Sequence, residues 1–252
     1  MEKWHNKVAV VTGASAGIGA ACCKALIEHY MIVVGLDLCQ EGIEKLHDFW
    51  TGNKEKQQRF HAHKCDVRNE VEVVETFEKI VKEYGAIAVL INNAGIVRDT
   101  ELVRENNSQD IRDTIETNVM GVVYCTREAF KTMSQHNNSQ GHVIIINSIG
   151  GHKVEHFSGM STNMYQASKH ALTAMTEVYR NEFLMHNTKI KITSISPGLV
   201  RTELFSKRAW ELLKNANFLE PSDVADAIVY CLQTPCHVQV HELIIKPLGE
   251  RL

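Results

Sequence analysis

Residues 7–19 read Lys7-Val8-Ala9-Val10-Val11-Thr12-Gly13-Ala14-Ser15-Ala16-Gly17-Ile18-Gly19. The first five form a short apolar run without a helical period, the pattern of a strand buried on both faces. The glycine-rich stretch follows at once, and Ala20 to His29 has helical composition. A strand, a glycine turn and a helix N-terminus together make a phosphate site. Glycine lets the backbone turn and approach closely, while unpaired N–H groups and the helix dipole attract an anion. Gly13, Ser15, Gly17, Ile18 and Gly19 are the candidate contacts. Their G-x-x-x-G-x-G spacing is wider than the common dinucleotide fingerprint.

Moving outward, the apolar run Met31–Leu36 predicts a second strand with Asp37 at its C-terminal end. A carboxylate there accepts hydrogen bonds from both hydroxyls of an adenosine ribose and repels a 2′-phosphate. No basic residue lies in 38–40, and Ser15 and Ala16 carry no charge, so the expected cofactor is NAD rather than NADP. The alternative role for Asp37 is an N-cap for a helix starting near Gln40.

Further strands are predicted at Gln58–Lys64, Ile87–Asn92, His142–Asn147, Lys189–Ile195 and Glu242–Lys246. Helical stretches near Asn69–Tyr84, Asp110–His136, Thr162–His186 and Ser222–Gln233 alternate with them. Such alternation predicts an α/β fold: a Rossmann-type doubly wound parallel sheet of about seven strands with helices on both faces. Ligands bind beyond the carboxyl ends of those strands. Asp66 and Val67 follow the third strand and are candidate adenine contacts. Asn93, Ala94 and Gly95 follow the fourth, Ser148 the fifth, and Pro197 and Gly198 the sixth, with Thr202 shortly after.

Tyr165 has Lys169 four residues on, about one helical turn, so both side chains leave one helix face. An ammonium near a phenol favours the phenolate. The pair is therefore suited to move a proton in an alcohol/carbonyl interconversion.

Taken in order, Thr12-Gly13-x-x-x-Gly17-Ile18-Gly19, Asn92-Asn93-Ala94-Gly95, Asn118-Val119-Met120-Gly121, Ser148, Tyr165-Gln166-Ala167-Ser168-Lys169 and Pro197-Gly198 resemble the short-chain dehydrogenase/reductase family. The resemblance runs from Thr12 to Lys246. It implies a catalytic tetrad of Asn118, Ser148, Tyr165 and Lys169. Lys169 would also bind the nicotinamide ribose, and Asn118 would hold a water linking Lys169 to solvent. The alternative reading of Asn118 is a polar residue facing a neighbouring helix. Cofactor contacts are further implied at Tyr165, Pro197, Gly198, Val200 and Thr202. A substrate lid is implied over 199–220. The opening thirteen residues and Asn93–Arg98 resemble the insect farnesol and antennal dehydrogenase group. Many of that group carry a basic stretch after the second strand that implies NADP; Asp37 departs from it.

The lid segment carries Leu204, Phe205, Trp210, Leu212, Leu213 and Phe218, and the stretch after Ser148 adds Val154, Phe157, Met160 and Met164. These side chains either line an apolar pocket for a hydrophobic, isoprenoid-like alcohol or carbonyl, or pack the lid onto the body. The competing functions are an NADP-linked carbonyl reductase and a non-catalytic nucleotide-binding sensor or scaffold.

At 252 residues the chain is expected to form one domain. Twenty-seven basic and thirty acidic residues leave −3, which excludes a basic nucleic-acid footprint. No apolar run reaches the ~18 residues of a membrane helix. The first strand begins so early that no signal peptide is expected, and seven scattered cysteines suit reduced thiols in a cytoplasmic protein. Asn106-Asn107-Ser108 and Asn137-Asn138-Ser139 are read as loop chemistry. His61, His63 and Cys65 are read as structural, with no metal site. The long helices 110–136 and 162–186 carry Ile111, Ile115, Val119, Val122, Val123, Ala167, Leu172, Met175 and Val178. By resemblance they build a homodimer or homotetramer, unless the subunit uses those faces itself.

Overall fold

The computed structural model describes residues 1–135, 140–156 and 159–250. Seven strands, β1 (Val8–Thr12), β2 (Ile32–Asp37), β3 (Phe60–Lys64), β4 (Ile87–Asn92), β5 (His142–Ile146), β6 (Lys191–Pro197) and β7 (Glu242–Ile245), form one sheet in the order β3-β2-β1-β4-β5-β6-β7. Every pairing is parallel. The helices among the described residues are α1 (Gly17–Glu28), α2 (Gln40–Asp48), α3 (Lys54–Gln57), α4 (Glu70–Tyr84), α5 (Ser108–Ile115), α6 (Gly121–Gln135), α7 (Tyr165–Met185), α8 (Lys207–Leu212) and α9 (Pro221–Gln233).

Alternate strand residues feed two cores, as the two-residue period of a strand requires. Ala9, Val11 and Val33 pack with Leu26 of α1, Ile43 of α2 and Ile228 of α9 on one face. Val10, Val34 and Leu90 pack with Phe77 of α4, Met133 of α6 and Leu172 of α7 on the other. Burial of both faces explains why β1, β4 and β5 read as unbroken apolar runs. The chain leaves β1 toward β2 and β3, then returns on its other side as β4. The crevice at this reversal opens beyond the carboxyl ends of β1 and β4.

Three elements differ from the sequence expectation. The stretch 54–57, outside the expected helices, forms the single turn α3, with the Lys56 N–H capped by the Asn53 side chain. The segment 199–220, expected as a lid, contains α8, capped by Ser206. The helix expected over Asp110–His136 is divided by a π-type turn at Glu116–Met120, where the Gly121 N–H reaches back to the Glu116 carbonyl. That extra residue per turn swings Asn118 against the strand-end loop at Ile96. His136, Asn137-Asn138-Ser139 and Phe157 lie outside the described residues.

Among the described residues no helix is long and apolar enough to cross a membrane. All seven cysteines are free thiols. His61 stacks on Tyr84 at 4.1 Å between ring centres, His63 Nε2 lies 3.4 Å from the Tyr84 hydroxyl, and Cys65 is buried.

Candidate active site

The crevice holds a cavity of about 310 Å³. One wall is built from the ends of β1, β2 and β4. Gly13 has φ +66°, and an added Cβ there would lie 2.9 Å from Ala94 Cα. The Thr12 hydroxyl accepts the N–H groups of Asn93 and Ala94, both at 3.0 Å. In return the Asn93 amide donates to the carbonyls of Thr12 and Gly13 at 2.9 and 3.0 Å. Gly19 lies beneath this clamp rather than on the cavity wall: a Cβ on it would meet the Gly13 carbonyl oxygen at 2.0 Å. The glycine loop thus closes against the neighbouring strand end only with these residue types.

Helix α1 then begins without a side-chain cap and without an acidic residue in its first turn. Its leading N–H groups and positive dipole end are left for an anion. Asp37, on the same wall, accepts the Ser15 N–H at 3.0 Å and the Cys39 N–H at 2.9 Å. It is not the N-cap of α2; Cys39 is, through its sulfur. The uncapped helix start and the Cβ-free cradle fit a nicotinamide dinucleotide, with the Asp37 carboxylate at the end of the adjacent strand β2.

Of the expected cofactor contacts, Gly13, Ser15, Gly17, Ile18, Asp37, Asn93, Ala94, Gly95, Tyr165, Lys169, Pro197, Gly198, Val200 and Thr202 line the cavity. Gly19, Asp66 and Val67 do not. The Asp66 carboxylate is held by the Arg68 guanidinium at 2.7–3.1 Å, which keeps it below the ordinary carboxyl range. Val67 packs under Gly121, which has room for no Cβ.

Ser148, Tyr165 and Lys169 converge on the far end of the cavity. Ser148 leaves the end of β5, and its Oγ accepts the Gly150 N–H at 3.1 Å. Tyr165 opens α7, and Lys169 lies one turn on. Its Nζ donates to the Ile146 carbonyl at 2.8 Å and sits 5.5 Å from the Tyr165 ring centre. Asn118 stands behind them, buried. Its amide donates to the Ile96 carbonyl and the Ser168 hydroxyl, and its oxygen accepts the Ile96 N–H. This clamp fixes the loop after β4 beside Lys169.

The sequence reading expects the ammonium to lower the phenol pKa. In the free protein burial is the larger influence and pushes Tyr165 up, with a Ser148 hydrogen bond pulling the other way. The same burial pulls Lys169 down to about 8. At 5.5 Å from the ring, with its proton directed at a carbonyl, the ammonium does not overcome desolvation.

The second wall comes from irregular segments. Leu204 and Phe205 line the cavity; Trp210, Leu212, Leu213, Phe218, Val154, Met160 and Met164 do not. Trp210 instead packs between Phe205 and Phe218, at 6.0 and 5.0 Å. Glu155, Thr162, Gln166 and Leu199 also line it, and none of them was among the expected site residues. Gln166 is buried and grips both the N–H and the carbonyl of Glu155, so a helix residue shapes the loop after Ser148. Its place inside Tyr165–Lys169 marks the helix, not this long-range grip.

The family model described as short chain dehydrogenase matches residues 7–212. The chain belongs to the short-chain dehydrogenase family. It is 45% identical over 251 residues to a farnesol dehydrogenase of Aedes aegypti, covering 100% of both chains. It is 36% identical over 258 residues to dehydrogenase/reductase SDR family member 11 of Homo sapiens, covering 98% of this chain and 96% of that one. Among solved structures it resembles a serine dehydrogenase complexed with NADP+, at TM-score 0.82 and 28% identity, covering 94% of this chain and 93% of that chain. The short-chain dehydrogenases are nicotinamide oxidoreductases, and this chain is an enzyme of that family.

Proposed function

We propose that this short-chain dehydrogenase is NAD-dependent and interconverts a hydrophobic, isoprenoid-like alcohol with its carbonyl. Asp37 carries the cofactor assignment. It lies on the cavity wall with its carboxylate held by two backbone N–H groups, and no arginine or lysine stands in 14–16 or 38–40. The glycine loop and α1 start would hold the pyrophosphate, and Lys169 the nicotinamide ribose. The cofactor, when bound, supplies the hydride acceptor or donor.

In oxidation Tyr165, as phenolate, takes the hydroxyl proton of the alcohol. In reduction it returns that proton. Ser148 Oγ donates to the substrate oxygen and steadies its developing charge. Lys169 sets the charge beside Tyr165, and Asn118 holds the loop that flanks Lys169. The apolar side chains Leu199, Leu204 and Phe205, on the lid segment 199–220, support a hydrophobic substrate. The farnesol dehydrogenase relative points the same way.

A second reading, an NADP-linked carbonyl reductase, is favoured by the NADP+ in the serine dehydrogenase complex. Absorbance at 340 nm separates them. NAD and NADP are offered in parallel with aliphatic, terpenoid and steroid alcohols, and the expected turnover is with NAD and the terpenoid alcohols. Preference for NADP would overturn the Asp37 assignment.

We infer further that the protein is one domain, cytoplasmic, and associates as a homodimer or homotetramer. Val122 and Leu172 serve the subunit core, while Ala167 and Val178 are exposed on α7 and remain available. Sedimentation at micromolar concentration tests association; a 28 kDa species alone would contradict it.

A further inference from the structure

The segment after β7 returns behind the cavity wall and touches both ends of the proposed lid. Leu199 and Leu219 are already tied, the Leu219 N–H donating to the Leu199 carbonyl at 2.8 Å. Asn217, just before the second root, donates its amide to the Leu248 carbonyl at 2.8 Å. Gly249, at φ +80°, then turns the chain so that Glu250 points inward.

The Glu250 side chain is only 2% exposed. Its Oε1 accepts the Leu199 N–H at 3.2 Å. Its Oε2 is buried with no hydrogen-bond partner among the described residues and is ion-paired with Lys246 Nζ at 3.7 Å. The carboxyl occupies the space a side chain at 198 would need. A Cβ on Gly198 would lie 2.3 Å from Oε2 and 2.9 Å from Oε1. The Pro197-Gly198 pair thus serves this carboxyl as well as the cavity wall.

We propose that Glu250 is a positioning residue, a buried carboxyl that latches the backbone of Gly198–Leu199. It thereby sets where the lid residues Val200, Thr202 and Leu204 stand on the cavity wall. Burial raises the Glu250 pKa, helped by the charge of nearby Glu155, while the Leu199 N–H and Lys246 oppose the rise. A carboxyl kept in so costly a place is held there by what it organises.

The latch rests on the reading of the cavity as a nicotinamide and substrate site, and the test keeps the two apart. Wild type, Glu250→Gln, Glu250→Ala and Asn217→Ala are compared. The readouts are Kd for NADH and NADPH by fluorescence, KM and kcat for an alcohol turned over in the 340 nm screen, and tryptic cleavage of the lid at Lys207, Arg208 and Lys214. Glutamine keeps an oxygen for the Leu199 N–H, so Glu250→Gln should stay within about two-fold of wild type in every readout. Glu250→Ala should raise Kd and KM roughly ten-fold, as expected for a lost hydrogen bond to a charged group, with kcat within about three-fold. Its lid should be cut several-fold faster, since cleavage follows the open population. Asn217→Ala should move the same quantities in the same direction by less, and decides the question if Glu250→Ala fails to fold. Unchanged Kd, KM and cleavage in both alanine variants, equal damage from Gln and Ala, or a loss confined to kcat would each overturn the latch. Cleavage needs no cofactor. A wild type that bound neither nicotinamide would count against the site reading, while the tryptic rates would still judge the latch.

Discussion

The two walls of the cavity are made in different ways. The nucleotide wall is mostly backbone: strand ends, a glycine loop and a helix start, fastened by Thr12 and Asn93 across adjacent strands. The other wall, which the proposed function gives to the substrate, is mostly side chains reaching over long distances. Gln166 grips Glu155, the Arg208 guanidinium donates to the Gly159 carbonyl and faces Asp99, and Glu250 seats under Gly198. A wall fixed by backbone tolerates few residue types and leaves a motif. A wall fixed by side-chain grips tolerates many and leaves none.

The sharpest test falls where the walls meet. Tyr165→Phe removes one hydroxyl and leaves both walls standing. Turnover should fall by ~10²–10⁴, the range for general acid–base catalysis, with NAD affinity unchanged by titration. Near-normal turnover would mean that the proton moves elsewhere.

On the nucleotide wall, kcat/KM should favour NAD over NADP by at least ~10²-fold, about 2.7 kcal/mol. Asp37→Ala with Leu38→Arg should reverse much of that preference, because repulsion is removed and a phosphate partner added. If the double variant kept the wild-type ratio, the carboxylate would not be reading the ribose.

The pH dependence sharpens the chemistry between the walls. Lys169 releases its proton near pH 8 in the free enzyme, and Tyr165 is pushed above its ordinary value. In the proposed mechanism alcohol oxidation needs the phenolate beside the ammonium, a state one proton below the fully protonated pair. Its kcat/KM should therefore climb roughly tenfold per pH unit below the lysine pKa and level off above it, because losing that proton from either group gives states in fixed ratio. Lys169→Met leaves the phenol alone, and the climb should continue into more alkaline solution. A plateau in both proteins would remove Lys169 from the titration.

The smallest effects are expected on the substrate wall. Phe205→Ala should raise the KM for a hydrophobic alcohol several-fold, in line with ~1–3 kcal/mol for apolar contacts in a pocket. Trp210→Ala, which touches no cavity surface, should act less on KM and more on thermal stability. Steady-state kinetics beside a melting curve would show whether that division holds.

This division also explains what the sequence disclosed. The ends of β1, β2, β4 and β5 were legible because burial on both faces writes an apolar run and the ligand side writes glycine, asparagine or serine after it. That Ser148, Tyr165 and Lys169 meet at one cavity follows from a strand-end position and a helical spacing, while their grouping with Asn118 came from the family resemblance. The π-type turn that places Asn118 was not legible, because the residues of 110–135 carry a helical period throughout; the demand comes from Ile96, a distant partner. Helix α8 was hidden in the lid because six residues show too little period. The direction of the Tyr165 shift was hidden too, since spacing brings an ammonium near but says nothing of how dry the phenol is. The pairing of Asp66 with Arg68 was not disclosed by its strand-end position.

The Thr12 hydroxyl meets the Asn93 and Ala94 N–H groups across 81 and 82 residues of chain. That separation has a consequence in time. A parallel strand cannot fold back on its neighbour by a hairpin, and closing so long a loop costs entropy before any contact repays it. As the polypeptide leaves the ribosome, β1, its glycine loop and α1 emerge early but lack the strand that shapes them until β4 arrives. Local helices therefore form first, and the anion cradle takes its final geometry only when roughly the first third of the chain has docked. A nascent chain halted before β4 should thus carry every glycine of the motif and hold no nucleotide.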